Sequence, residues 1–122
     1  MILSSGQLLM REVFFLIGRG DVVLYCDASE SPVAIPDSRR RWEEIWRRRK
    51  VLTEIAHSHP VGPLAFSRED ETTMAALSTA LGKTPRFSVV APGGMIRREE
   101  NSDRIVKPEP WWAALLRLAS GM

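Results

Sequence analysis

Cysteine and long apolar runs are scarce in this sequence, and each scarcity excludes a class of protein. The single cysteine, Cys26, leaves no partner for a disulfide within the chain, which fits a reducing compartment. No stretch approaches the roughly 20 apolar residues that cross a bilayer, and the first residues lack the cationic and apolar segments of a secretion signal. We therefore expect a cytoplasmic protein with no membrane partner, in which Cys26 is a small apolar residue on a strand.

Positive and negative charges are nearly balanced in this sequence, and the chain is of modest length. The 122 residues, 44% of them hydrophobic, provide one globular core and leave no room for a second, so we predict a single domain over residues 1–122. The net charge of +2 is too small to indicate nucleic acid as a partner.

One basic segment, RRRWEEIWRRRK at residues 39–50, departs from this balance. Its spacing predicts an amphipathic helix whose inner stripe contains Trp42, Ile45, Trp46 and Arg49. Tryptophans at this spacing are usually the core-facing side of such a helix. A surface for nucleic acid or for an acidic partner is the less favoured alternative.

Periodicity predicts an alternation of strands and helices. Residues 8–17 and 22–26 are expected to form a hairpin that turns at 18–21. Asp37 or Ser38 is expected to cap the helix at 39–50. Further strands are predicted at 51–59, 86–91, 95–98 and 104–107, and a final helix from Pro110 to Leu118.

The most informative segment is EIAHSHPVGPLAFSRED, residues 54–70, which holds both histidines of the chain. A strand has a period of two, so His57 and His59 share one face while Ser58 points to the other. Pro60 removes a backbone donor and ends the strand. Two imidazoles on one face can bind one metal ion.

A helix follows, with Met74, Leu77 and Leu81 on its inner stripe and Gly82 as its stop signal. Asp70 lies one turn before Met74 on the same stripe, so its carboxylate can reach the two histidines as a third ligand. Three protein ligands leave one position for water, which is typical of catalytic rather than structural zinc.

Ordinary structural roles also explain these residues. The run from Ser67 to Asp70 fits a capping box, in which a serine caps a helix and an acid three residues later reaches back to it. A His-x-His pair on a strand is often a surface or packed pair. Capping and metal binding are nevertheless compatible, since a residue at a helix start can do both.

The spacing His-Ser-His, seven residues, Ser, two residues, Asp resembles the motif of the JAMM (MPN+) metalloprotease family over residues 10–94. His57, His59, Ser67 and Asp70 fill every fixed position. The resemblance implies an α/β fold with a cytidine-deaminase-like mixed β-sheet flanked by helices. It also implies a zinc-dependent peptidase or isopeptidase that acts at the C-terminal tail of ubiquitin or a ubiquitin-like protein.

The same resemblance implies a glutamate on an early strand, and Glu12 is the candidate. Gly18 matches the family's Glu-x-x-Gly-Leu-Leu-x-Gly segment only in part, because bulky residues follow the glutamate. The alternative for Glu12 is an exposed acid at a strand edge, paired with Arg11 or Arg19. Among the other acids, Glu54 is a competing base.

The predicted positions of the other acids argue against them as the base. Glu54 is expected to point away from His57, because the two are an odd number of residues apart on one strand. Glu43 and Glu44 are expected on a polar helix surface.

The resemblance implies a role for each residue of the motif. His57, His59 and Asp70 would hold zinc, which lowers the pKa of its bound water to about 7. Glu12 would act as general base, and the Ser67 hydroxyl would donate to the substrate carbonyl oxygen as negative charge develops there.

Short connections refine the prediction of a partner. Only 44 residues separate Glu12 from His57, and the loop at 60–66 is short. We expect a minimal, prokaryote-like member whose substrate is the tail of a small ubiquitin-like or sulfur-carrier protein, with the final helix covering the surface that relatives cover with an early helix. A catalytically inactive scaffold or protein-binding module is the alternative, and exposure of Trp111 and Trp112 would make a dimer conceivable.

Overall fold

The computed structural model describes residues 10–29 and 39–122, in which six strands form one mixed sheet with helices on both faces. Along the chain the elements are β1 (Val13–Gly18), β2 (Val22–Ala28), α1 (Arg39–Arg47), β3 (Leu52–Ser58), α2 (Arg68–Leu81), β4 (Arg86–Ala91), β5 (Gly94–Glu99), β6 (Ser102–Ile105) and α3 (Trp111–Ser120). The strand order across the sheet is β2-β1-β3-β4-β5-β6. The predicted α/β fold is confirmed.

Strand β1 is buried along its whole length, as its continuous apolar sequence predicts. Its odd-numbered residues, such as Phe15, pack with Trp112 and Leu116 of α3 on one face of the sheet. Its even-numbered residues, such as Phe14, pack with side chains of α1 and α2 on the other face. The sheet therefore separates two apolar cores, and the apolar side chains of Val13–Ile17 in β1 alternate between them.

Strand β3 brings the histidines to the beginning of β1. The two strands are antiparallel, with Phe14 opposite His57, so continuing this register by two residues places Glu12 opposite His59. On the other side β3 runs parallel to β4, and α2 supplies the crossover connection that a parallel pair needs. Beyond the end of β3, the His59 N–H donates to the Val90 carbonyl at 2.9 Å, which holds the second histidine in the sheet.

Helix α2 has the boundaries that its sequence predicts. Ser67 caps its first turn, and Gly82 ends it in the left-handed conformation (φ 67°), with its N–H donating to the Ser78 carbonyl. Met74 and Leu77 are buried against the sheet. The stop signal and the inner stripe are therefore both confirmed.

Several predicted boundaries shift. Strand β6 begins at Ser102 rather than at 104, because Glu100 and Asn101 both adopt positive φ angles (52° and 64°) and turn the chain within two residues. Helix α1 ends at Arg47 rather than at 50, where a turn follows. The predicted strand residues 8 and 9 and the predicted caps Asp37 and Ser38 lie outside the described residues.

Three side chains have an exposure that the sequence pattern did not determine. Trp46 is half-exposed at the margin of the α1 stripe, where the Arg49 guanidinium lies 3.9 Å from its ring centre. Trp112 of α3 is fully buried, whereas the neighbouring Trp111 is exposed. Cys26 is exposed, because β2 is an edge strand with one neighbour. The prediction of a core-facing Trp46 was wrong, whereas Cys26 lies on a strand as predicted.

None of the helices in the described residues is both long and apolar enough to cross a membrane.

Candidate metal centre

The end of β3 and the first turn of α2 bring two imidazoles and one carboxylate into contact. The Nε2 atoms of His57 and His59 lie 3.1 Å apart. Asp70 Oδ1 lies 3.1 Å from His57 Nε2, and Asp70 Oδ2 lies 3.3 Å from His59 Nε2. The three residues that the motif assigns to one ion therefore lie together.

These separations suit a common ion. Two ligand atoms at about 2.0–2.1 Å from a tetrahedral zinc ion lie about 3.3 Å from each other. The three observed separations, 3.1, 3.1 and 3.3 Å, are close to that value. Two imidazole nitrogens that face each other also need a cation or a shared proton between them, because opposed lone pairs repel. The donor set thus fits a zinc ion in both spacing and chemistry.

A backbone carbonyl that contacts Nδ1 fixes the orientation of the His59 ring. Its Nδ1 lies 2.9 Å from the Pro63 carbonyl oxygen, which can only accept, so Nδ1 carries the hydrogen. In the neutral ring Nε2 then keeps its lone pair toward His57, which is the arrangement of a metal-binding histidine. Gly62 permits the turn that brings the carbonyl there, since it adopts φ 75° and donates its N–H to the His59 carbonyl.

Asp70 serves the helix cap and the cluster together. The Ser67 N–H donates to Asp70 Oδ2 at 2.7 Å, and the Asp70 N–H donates to Ser67 Oγ at 3.0 Å, which completes the predicted capping box. The second oxygen, Oδ1, faces His57. Although burial acts to raise the pKa of Asp70, hydrogen bonds from His57, His59 and the Ser67 N–H hold it well below its usual range.

Glu12, the residue immediately before β1, completes the cluster. It is 5% exposed, and one of its carboxylate oxygens lies within 4.8 Å of a ring nitrogen of His57 and of a ring nitrogen of His59. Burial raises the pKa of Glu12 to about 7; attraction to His59 opposes the rise, and repulsion from Asp70 and Glu69 adds to it. The alternative of an exposed acid at a strand edge is wrong.

Electrostatic coupling extends to the second histidine. Burial acts to lower the pKa of His59, but the Asp70 carboxylate, the Pro63 carbonyl and the charge of Glu12 together raise it. These effects favour the protonated forms of Glu12 and His59. A bound cation would favour the ionised carboxylates and the neutral imidazoles instead.

The competing base Glu54 lies on the opposite face of the sheet, as predicted. It is fully buried, and its carboxylate accepts two hydrogen bonds from Arg97, at 2.9 and 3.0 Å. Arg86 approaches at 3.3 Å. This acid is neutralised by arginines and has no access to the histidines. Glu43 lies on the exposed surface of α1.

The cluster opens into a cleft of about 610 Å³ between α1, α2 and the sheet. Its polar lining includes Ser67 and Arg68. It is also lined by apolar and aromatic side chains: Phe14, Trp42, Ile45, Ile55, Met74, Leu77 and Phe87. Sequence reasoning missed this cleft, although the apolar stripes of α1 and α2 indicated that both helices pack on the same core.

Fold and site together define an α/β protein with a largely buried group of one glutamate and two histidines that could hold a metal ion. The family of prokaryotic homologs of the JAB domain matches residues 6–107, so the chain belongs to that family. The resemblance to JAMM and MPN domains inferred from the motif is thereby confirmed, and the match extends through β6. No curated protein matches the chain.

Proposed function

We propose that this protein is a zinc-dependent peptidase or isopeptidase that hydrolyses an amide bond at the C-terminal tail of a ubiquitin-like or sulfur-carrier protein. One observation carries the proposal: two imidazoles in direct contact with the Asp70 carboxylate, with the buried Glu12 carboxylate beside them. Amide hydrolysis needs a nucleophile, a general base and a group that stabilises the negative charge on the carbonyl oxygen. This cluster offers residues for each requirement.

We assign the metal ligands as His57, His59 and Asp70. Asp70 contacts both imidazoles directly, and its contact with each uses a different oxygen. When bound there, zinc would supply a water of lowered pKa and a positive charge near the substrate carbonyl. These three ligands are the smallest set that holds a catalytic zinc and leaves one position open.

Glu12 is the proposed general base. Glu12 is the residue immediately before the fully buried strand β1, and its carboxylate lies close to the ligand atoms. In this position it can take a proton from the attacking water and hand it to the leaving amine, which are the two proton transfers that amide hydrolysis requires. Burial also removes competing bulk water from its surroundings.

Ser67 is the proposed donor to the carbonyl oxygen. Its Oγ accepts the Asp70 N–H, so the hydroxyl hydrogen is not used by the cap. The residue is exposed and lines the cleft beside the histidines. A hydroxyl in that position stabilises the negative charge that develops on the substrate oxygen, an effect worth about 3 kcal/mol for a single donor in comparable sites.

The short connection between Pro60 and Phe66 supports a small substrate protein with an extended tail. Gly62 and Pro63 of this loop line the cleft, as do Thr72 and Thr73 of α2. A flexible tail can enter such a cleft as an extended chain, whereas a folded surface cannot. The tail of a ubiquitin-like or sulfur-carrier protein is of this kind.

The test combines metal analysis with a cleavage assay. Purified protein should contain about one zinc per chain after repletion, and it should cleave a ubiquitin-like or sulfur-carrier protein fused at its C-terminus to a reporter, with loss of cleavage on chelation. Asp70→Ala should lose the zinc, whereas Glu69→Ala, one residue earlier on the exposed side of the same turn, should keep it. A repleted protein without zinc would instead be a metal-free binding module.

A further inference from the structure

Ser58, the middle residue of the His-Ser-His segment, forms a buried hydrogen-bond network on the face of the sheet opposite the histidines. It is fully buried, and its Oγ accepts the Val13 N–H at 2.9 Å. The Ser120 hydroxyl oxygen, also fully buried at the end of α3, lies 2.9 Å from Ser58 Oγ. Ser120 Oγ also lies 2.6 Å from the Arg11 carbonyl oxygen.

The direction of these bonds follows from the donors available. A carbonyl only accepts, so the Ser120 hydroxyl donates to Arg11, and Ser58 must then donate to Ser120. The chain of bonds runs from the Val13 N–H through both hydroxyls to the Arg11 carbonyl. Every hydroxyl in it both donates and accepts, so each bond strengthens its neighbours.

This network encloses Glu12. The Arg11 carbonyl belongs to the peptide group before Glu12, and the Val13 N–H belongs to the peptide group after it. Two backbone bonds add to the restraint: the Arg11 N–H donates to the Ser120 carbonyl at 3.1 Å, and the Ser29 N–H donates to the Glu12 carbonyl at 2.8 Å. Both peptide groups of Glu12 are thus held.

We propose that Ser58 and Ser120 are positioning residues, which fix the backbone on both sides of Glu12 and so keep its carboxylate beside His57 and His59. The inference rests on the proposed function, in which Glu12 is the base. It gives the His-Ser-His segment two tasks, with the imidazoles on one face binding the metal and the serine on the other face placing the base. It also makes α3, which lies outside the family match, part of the support of the site.

Kinetics of Ser58→Ala and Ser120→Ala test the proposal. We expect kcat to fall by about 10-fold to 100-fold with KM and zinc content unchanged, because a general base displaced by a fraction of an ångström transfers protons poorly. Ser88→Ala is the matched control. Ser88 lies on β4, on the same face of the sheet as Ser58, and it is fully buried. Its hydroxyl has no hydrogen-bond partner among the described residues. That variant should keep kcat within about twofold of the wild-type value.

A double variant distinguishes positioning from a general structural role. If Ser58 acts through Glu12, then Ser58→Ala should cause no further loss in a Glu12→Gln background. An equal loss in both backgrounds, or loss of zinc from Ser58→Ala, would overturn the proposal.

Amide hydrogen exchange supplies a readout that needs neither zinc nor activity. The Val13 amide should exchange faster in both serine variants than in Ser88→Ala, measured well below their unfolding temperatures. Should Ser58→Ala fail to fold, Ser120→Ala carries the same measurement. Unchanged protection of the Val13 amide in the serine variants would refute the network. If the wild-type protein cleaves nothing but the variants still show these exchange differences, only the proposed function is refuted.

Discussion

Two buried glutamates on opposite faces of the sheet have very different surroundings. Glu54 is completely enclosed, and two arginines neutralise it. Glu12 is nearly as buried, but among the described residues it has no arginine or lysine partner, and its neighbours are His57, His59 and Asp70. Burial is therefore common to both acids, and the kind of partner distinguishes them.

The difference follows from what an enclosed charge requires. A buried carboxylate is costly unless it is paired and hydrogen-bonded, and arginine meets this requirement with a planar pair of donors. The Glu54 pair is complete and has no capacity for a ligand. The Glu12 cluster contains two acids and two imidazoles, so it becomes electrostatically complete only by binding protons or a cation. An incompletely paired buried acid thus indicates a site, and a fully paired one indicates structure.

Glu12→Gln should produce the largest difference between the two acids. Turnover should fall by about 10² to 10⁴-fold, because the amide cannot accept a proton, whereas zinc content should stay near one per chain because the proposed ligands are intact. Cleavage of the tail fusion and metal analysis measure the two quantities. Glu43→Gln, on the exposed surface of α1, is the control. Unchanged turnover would remove Glu12 from the mechanism.

Glu54→Gln should affect stability instead. Removing its charge leaves Arg97 buried without compensation, so the free energy of unfolding should fall by about 3 kcal/mol, measured by denaturant titration. The same change at Glu12 should cost little in zinc-free protein, because Glu12 has no arginine or lysine partner among the described residues that the change would leave buried and unpaired. If Glu12→Gln proved the more destabilising of the two, the distinction between site and structure would fail.

Metal binding should stabilise the protein through one cluster only. Zinc at about 100 times its dissociation constant should add about 2.7 kcal/mol to the free energy of unfolding, seen as a higher melting temperature that chelation reverses. His57→Ala should abolish the zinc-dependent increase, and Glu54→Gln should keep it despite its lower starting stability. A zinc response that survives in His57→Ala would place the metal elsewhere.

Short-range patterns predicted much of this geometry. The opposite directions of Ser58 and its flanking histidines follow from the strand period alone, and the position of Asp70 follows from helix capping and the inner stripe of α2. The strand at 86–91 was predicted to the residue. In each case the deciding contacts lie within one element or its ends, so local sequence contains the information.

Contacts between distant segments were not predictable in this way. Ser120 meets Ser58 across 62 positions, and nothing in the sequence near either serine indicates the other. The exposure of Trp46 and the burial of Trp112 likewise depend on where α1 and α3 lie on the sheet. A helical stripe shows which side of a helix is apolar, but the packing of neighbouring elements determines how much of that stripe is covered.

The smallest expected effect comes from a partly exposed pair that resembles the Glu54 pair in type but not in burial. Arg117 on α3 donates to the Ala91 and Gly94 carbonyls at 3.0 and 3.1 Å and binds both oxygens of Glu109. The hydrogen bonds from Arg117 to Glu109 hold the pKa of Glu109 below its usual value. Glu109→Gln should therefore lower the free energy of unfolding by only about 1 kcal/mol at pH 7, because solvent screens the pair.

The pH dependence of that loss gives the pair its own signature. Because the pKa of Glu109 is lower in the folded protein than in the unfolded chain, its contribution is complete above the unfolded value of 4.5 and is lost as the pH falls through the folded value. The stability gap between wild type and Glu109→Gln, measured by urea titration from pH 7 to pH 3, should narrow below about 4.5. Glu100→Gln, at an exposed turn, should show no such gap at any pH. A gap that stays constant down to pH 3 would mean that the charge of Glu109 contributes nothing and that its shape alone supports Arg117.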